Sequence, residues 1–156
     1  MKKIIGIMGP GDGATEQDKK NAFEIGKYAA EHGYVVLTGG RNIGVMEAGL
    51  QGAKSANGTT VGILPNDDRS TFSEYVDIPI ITNMRSGRNY MNVLSSDLVF
   101  ACGMGAGTSS EVSLALQAGK NIILVGTSPE ANAFFKQLNS EKILIAKDYT
   151  EALLFF

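Results

Sequence analysis

The chain has 156 residues, of which 44% are hydrophobic and 19% charged, and its formal net charge is −2. This length predicts one domain, over residues 1–156, that buries a substantial core. The small net charge gives no indication of a nucleic-acid or membrane-surface binder, and no apolar run approaches the roughly 18 residues that span a bilayer. The single cysteine, Cys102, excludes an internal disulfide and favours a cytoplasmic location.

Short apolar stretches rich in valine and isoleucine alternate with amphipathic segments along the chain. We predict strands at residues 3–8, 34–38, 59–64, 77–82, 97–102, 121–126 and 142–146. We predict helices at roughly 17–32, 43–56, 84–96, 108–119, 129–138 and 148–155. Several strands are apolar on successive residues, which is typical of strands covered on both faces. The pattern predicts an α/β fold: a single Rossmann-like domain with a mostly parallel sheet of about seven strands and helices on both faces.

Three strand-to-helix connections are rich in glycine: 9–15 (GPGDGAT), 38–44 (TGGRNIG) and 103–109 (GMGAGTS). In a parallel sheet such connections meet at the carboxyl edge, where open α/β folds bind ligands. Each leads into a helix whose free amides favour an anion, and glycine lets a phosphate approach the main chain. Thr108 and Ser109 either cap their helix or bond to a phosphate oxygen. The loops predict a site for a phosphate-bearing ligand, bound by Gly9, Gly11, Gly39, Gly40, Gly105, Ala106, Gly107 and Thr108.

Two common nucleotide motifs are incomplete in this sequence. The stretch GPGDGA matches the G-x-G-x-x-A pattern of dinucleotide-binding loops, but the second strand ends in Gly39, Gly40 and Arg41 instead of the acidic residue that holds a ribose. The Walker pattern, with its lysine followed by serine or threonine, is absent. A redox dinucleotide is therefore disfavoured as the ligand.

The arginines follow the second, third and fourth predicted strands, whereas lysine supplies every other positively charged side chain. There are four of them: Arg41, Arg69, Arg85 and Arg88. Because guanidinium grips phosphate or carboxylate with two parallel hydrogen bonds, we expect Arg41, Arg85 and Arg88 to bind the ligand. The alternative is that the positions arose by chance and form surface salt bridges.

We expect the other chemically reactive side chains to have structural roles. His32, the single histidine, falls in the last turn of the first predicted helix, far from the glycine loops, and is expected to help end that helix. Cys102 has no histidine nearby to activate it and is expected to be buried. No group of histidine, cysteine or carboxylate side chains has metal-ligand spacing, so we predict no protein-bound metal and no required cofactor.

Four stretches resemble one known superfamily, in order and spacing: GGRNIGVMEAGLQGAK, GILP, RSGRNYMNVLSSD and GMGAGTSSEVSLAL. It is the family once labelled lysine decarboxylases, which includes the Lonely Guy cytokinin-activating phosphoribohydrolases and the molybdenum cofactor carrier proteins. The Lonely Guy signature is P-G-G-x-G-T-x-x-E, preceded by an Arg-Lys pair. Here Gly103 and Met104 replace its proline and first glycine, and the pair is Arg88-Asn89, the form expected in the carrier branch.

This resemblance implies two functions. The favoured one is a carrier of molybdenum cofactor or a related phosphorylated ligand such as a nucleoside monophosphate, with Asn89 beside Arg88 in the site. The alternative is a phosphoribohydrolase that cleaves the N-glycosidic bond of nucleoside 5′-monophosphates, with Arg88 and Glu111 catalytic. Glu111 also has a purely structural interpretation, because an acidic residue in a first helical turn stabilises the helix dipole. A nucleotide sensor is a third possibility, and the resemblance implies a homo-oligomer, a dimer or tetramer, paired through the helices after strands four and five.

Overall fold

The computed structural model describes all 156 residues as one α/β domain built on a seven-stranded sheet. All strand pairs are parallel, and the strand order is β4-β3-β2-β1-β5-β6-β7. The strands are Ile4–Met8 (β1), Val35–Thr38 (β2), Thr60–Leu64 (β3), Ile78–Ile81 (β4), Leu98–Cys102 (β5), Ile122–Val125 (β6) and Ile143–Ala146 (β7). This parallel sheet confirms the predicted Rossmann-like fold. The prediction succeeds because short apolar runs bounded by glycine and polar residues mark the strands.

Helices cover both faces of the sheet. They are Glu16–Glu31 (α1), Gly44–Ser55 (α2), Asn89–Leu94 (α3), Ala106–Gln117 (α4), Pro129–Leu138 (α5) and Tyr149–Ala152 (α6). Helix α1 packs against α2 and α6, and α3 packs against α4, so two hydrophobic cores lie on opposite sides of the strands. No helix combines the length and the apolar character that crossing a membrane requires.

The strand order places a crevice at the middle of the sheet. From β1 the chain winds to β2 and β3 on one side, and after β4 it crosses to β5 and winds the other way. The connections that leave β1 and β5 therefore diverge at their carboxyl ends. This reversal is the topological switch point at which open α/β sheets bind ligands.

Three predicted helices differ from the structure. The last, predicted at 148–155, is helix α6 followed by a 3-10 turn at Leu153–Phe155. The segment predicted as one helix at 84–96 is a 3-10 turn, Arg85–Arg88, followed by the six-residue helix α3. Arg85 has a φ of 49°, which an α-helix does not allow, so the regular helix begins only at Asn89. Helix α4 begins at Ala106, two residues earlier than predicted, because the extended Gly105 precedes it as N-cap.

Candidate functional site

A cavity of about 400 Å³ opens at the carboxyl edge of the sheet, beside the switch point. The connections after β1, β2 and β5 all contribute to its wall, together with the start of α3. The predicted site residues that line it are Gly9, Gly11, Gly39, Arg41, Arg88, Asn89, Gly105, Ala106, Gly107, Thr108 and Glu111. The structure thus brings the three glycine-rich loops and two arginines to one place.

Two predicted site residues lie outside this cavity. Gly40 has a φ of 72°, and a Cβ there would lie 2.9 Å from the Cα of Gly62, so it serves the close approach of the β2–α2 connection to β3. Arg85 is exposed on the 3-10 turn, and its carbonyl oxygen accepts a hydrogen bond from Nη1 of Arg88. Arg69 is also exposed and does not line the cavity. Of the four arginines, only Arg41 and Arg88 face the cavity.

The start of helix α4 forms one wall. The first amides of any helix lack an intrahelical acceptor. Here Gly105 is the N-cap, and no side chain accepts a capping hydrogen bond from these amides. Thr108, in that first turn, is 2% exposed, and its Oγ1 is buried without a hydrogen-bond partner. Of the two predicted roles, neither Thr108 nor Ser109 caps the helix, since Gly105 is the N-cap and Ser109 Oγ donates to the carbonyl of Ala106. A bond to a phosphate oxygen stays a prediction. Free amides and an unpaired hydroxyl at one helix start are suited to an anion.

Arg88 supplies a fixed positive charge beside that wall. It is 9% exposed, and its Nε donates to the carbonyl oxygen of Ile63 over 2.7 Å, while Nη2 lies 3.5 Å from the carbonyl oxygen of Gly39. No carboxylate forms a salt bridge with it. Burial and the positive charge of Arg41 lower the pKa of Arg88, and Glu111 opposes that change. A buried cation without an ion-pair partner is a favourable neighbour for a bound anion.

Gly39 makes the position of this guanidinium possible. A Cβ at residue 39 would lie 2.6 Å from Nη2 of Arg88 and 2.8 Å from the sulfur of Met46. Any side chain here would therefore push Arg88 out of its place. The glycine at the end of β2 has a packing role toward Arg88 that the sequence does not indicate.

Glu111 also lines the cavity, one turn after Thr108 on α4. It is 8% exposed, and one carboxylate oxygen accepts a hydrogen bond of 2.9 Å from Nδ2 of Asn92 on α3. Burial raises the pKa of Glu111 from 4.5 to about 7, against the opposing effects of the Asn92 hydrogen bond and the charge of Arg88. Near neutral pH this carboxyl therefore exchanges a proton easily.

Gly103 explains why the glycine motif departs from the Lonely Guy signature. It has a φ of 74°, which the ring of proline cannot adopt. A Cβ there would also lie 2.5 Å from the carboxyl carbon of Asp18, which is buried on α1. This turn therefore needs glycine for both its conformation and its packing.

Several residues of the site were not predicted from the sequence. Asp12, Met46 and Ser86 line the cavity, and Asn92 lies behind it as the partner of Glu111. Asn92 is fully buried, although an asparagine in a short amphipathic segment ordinarily suggests a surface position. Only the packing of α3 on α4 brings it to Glu111, so the sequence carries no local signal for the pair.

A parallel, doubly wound sheet with a cavity at its switch point places the protein in the class of Rossmann-like ligand-binding domains. The chain belongs to the SLOG cluster4 family, whose family model matches residues 2–153.

Solved structures similar to this chain cover nearly all of it. The molybdenum cofactor binding protein from the phototrophic bacterium Rippkaea orientalis is 47% identical, with a TM-score of 0.95 over 99% of this chain and 95% of that one. The molybdenum cofactor carrier protein from Chlamydomonas reinhardtii is 47% identical, with a TM-score of 0.93 over 99% and 96%. A protein of Archaeoglobus fulgidus is 41% identical over 118 residues, 76% of each chain. The resemblance to carrier proteins is confirmed, and that to Lonely Guy enzymes stays a prediction.

Proposed function

We propose that this protein binds molybdenum cofactor, or a closely related phosphate-bearing molecule, as a cargo that it carries without chemical change. Two similar structures, each 47% identical over 99% of this chain, are a molybdenum cofactor binding protein and a molybdenum cofactor carrier protein. Molybdopterin, the organic part of that cofactor, ends in a phosphate. The glycine loops of this chain offer a place for that phosphate, and the rest of the cavity would hold the pterin.

The observation that carries this proposal is that one cavity contains both a hydroxyl without a hydrogen-bond partner, on Thr108, and a cation without an ion-pair partner, Arg88. Buried hydroxyl groups in proteins nearly always have a partner, yet Thr108 Oγ1 has none within the protein. Arg88, in the same cavity, has no carboxylate partner. A phosphate at the start of α4 would accept hydrogen bonds from Thr108 and the free amides and would neutralise Arg88, so the residues fit such a group.

One observation favours the alternative function, hydrolysis of a nucleoside 5′-monophosphate. Glu111 has a pKa of about 7 and reaches the same cavity, as a general acid or base would. Against hydrolysis, Asn89 stands where the Lonely Guy enzymes have lysine. Binding without turnover remains the proposed function.

The test separates binding from turnover. We expect molybdenum to co-elute with the protein in anaerobic gel filtration after mixing with molybdenum cofactor, and we expect no free base from AMP or cytokinin ribotides by chromatography. Release of base that disappears in Glu111→Gln, but persists in Glu47→Gln on α2, would replace the carrier by a hydrolase. If neither the cofactor nor AMP binds, the proposed site is wrong.

We also propose a homo-oligomer, a dimer or tetramer, formed through α3 and the edge strand β4. All four residues of β4 are exposed. Ile78 and Ile80 pair in register with Val61 and Ile63, so they project on the same side of the sheet as α3. Leu94 of α3 is 45% exposed and adds to this apolar surface. Burying this surface between two copies would explain why it is apolar. We also propose a cytoplasmic location.

Leu94→Asp is expected to reduce the oligomer to a smaller species, because it would bury an unpaired charge in the apolar interface. Light scattering after gel filtration measures the mass. Leu138→Asp, at a leucine on α5 that is 55% exposed, is the matched control and should leave the pairing intact. A wild-type protein that is monomeric at all concentrations would contradict the proposal.

A further inference from the structure

We propose that the site binds its anion together with a proton taken up by Glu111, so that the cargo is held below neutral pH and released as the pH rises. Asn92 is the positioning residue that holds Glu111 in both protonation states. This inference rests on the proposed function, because it assumes a phosphate-type anion at the start of α4. It adds a mechanism of release to that function.

The two negative groups, the bound anion and the carboxylate of Glu111, would lie close together. Thr108 and Glu111 are three residues apart on α4 and both line the cavity, so they lie on one face of the helix. An anion bound by the first-turn amides and by Thr108 would therefore lie about one helical turn, roughly 5 Å, from the carboxyl of Glu111. Both groups would be largely shielded from water, since Thr108 and Glu111 are buried. Like charges at this distance favour the neutral form of the carboxyl.

No ion pair fixes Glu111 in its charged form. Arg88 is the cation whose charge acts on Glu111, but no salt bridge joins the two. The Arg88 N–H groups donate instead to main-chain carbonyls and to Asn89. The bound anion would compete with Glu111 for this one positive charge. Neutralising the carboxyl removes that competition.

Glu111 is the buried carboxyl among the charged or titratable groups that line the cavity. Asp12, in the β1–α1 connection, is exposed, and the guanidinium of Arg41 offers only hydrogen-bond donors. Cys102, at the end of β5, holds its proton because burial raises the pKa of its thiol. His32 ends α1 and does not line the cavity. A proton taken up on binding near neutral pH therefore goes to Glu111.

Asn92 is suited to hold either form of the carboxyl. Its Nδ2 donates to Glu111 Oε1, while its Oδ1 is buried without a partner. If the amide turned by 180°, Oδ1 would face Glu111 and accept a hydrogen bond from the protonated carboxyl. The turned amide would thus supply an acceptor for the second protonation state.

The test is calorimetric titration of the full-length protein with sulfate, which stays a dianion between pH 6.5 and 8.5. Titrations in buffers of different ionisation enthalpy give the number of protons taken up. We expect uptake approaching one proton per sulfate at pH 8, and a dissociation constant that rises toward tenfold per pH unit above pH 7. Glu111→Gln should take up no proton and should bind at pH 8 about tenfold more tightly than the wild type.

The controls make the result specific. Glu47→Gln, the same change in the first turn of α2 and outside the cavity, should behave like the wild type. Asn92→Ala should shift the midpoint of the pH dependence upward, because it removes the hydrogen bond that lowers the pKa of Glu111. An unmoved midpoint would refute the role of Asn92.

Two outcomes distinguish the failure of this inference from that of the proposed function. Sulfate binding without proton uptake, equal in the wild type and in Glu111→Gln, would overturn the coupling and leave the anion site in place. Absence of binding by both sulfate and AMP at every pH would overturn the anion site itself, and the coupling with it.

Discussion

Replacement of Arg88 by alanine is expected to weaken binding of a phosphate-bearing ligand by at least about 100-fold, equivalent to about 3 kcal/mol. Arg88 contributes a buried charge without an ion-pair partner, and its guanidinium is fixed by the carbonyls of Ile63 and Gly39. Removing it takes away the charge and leaves those carbonyls without their donor. Calorimetric titration with AMP or with the cofactor measures the loss.

Two further variants show that the loss belongs to the site. Arg85→Ala, three residues away and exposed, should bind as the wild type does, because Arg85 does not line the cavity. Arg88→Lys should recover part of the affinity, because it keeps the charge but loses the planar set of donors. Equal losses in Arg85→Ala and Arg88→Ala would contradict the assignment of Arg88.

Glu111→Gln is expected to raise the free energy of unfolding by roughly 3 kcal/mol at pH 8, with a much smaller effect at pH 5. The pKa of Glu111 is raised from 4.5 to about 7 in the folded protein. Between these values the folded chain keeps a proton that the unfolded chain has lost, so stability falls as the pH rises through this window and stays low above it. Glutamine carries no charge at any pH and avoids the roughly 3 kcal/mol that this pKa difference represents.

Urea denaturation of both proteins at pH 5 and pH 8 measures this effect. Glu47→Gln, the same change in the first turn of α2 and outside the cavity, is the control. If Glu111→Gln raises the free energy of unfolding equally at both pH values, the stabilisation does not come from removing the buried charge.

The fold could be predicted from the sequence because its signals are local. Each strand is a short apolar run, and each lies within one residue of its predicted bounds. The convergence of the glycine loops also follows from sequence, since parallel strands send all their following connections to one edge. The general position of the cavity is a consequence of this topology.

The details of the site depend on packing that no local pattern records. Arg85 and Arg88 are three residues apart in the same stretch, yet one is exposed and the other buried, because a 3-10 turn replaces the predicted helix there. Gly40 and Gly39 are adjacent, yet only Gly39 lines the cavity. The contact of Asn92 with Glu111 joins two helices that are separate in sequence.

The central claim is tested most directly by a crystal structure of the protein grown with sulfate. The account predicts tetrahedral density at the start of α4, within hydrogen-bonding distance of the main-chain amides of Ala106, Gly107 and the hydroxyl of Thr108, and on the side that faces Arg88. Sulfate bound only at lysines elsewhere on the surface, with water alone at the start of α4, would contradict it.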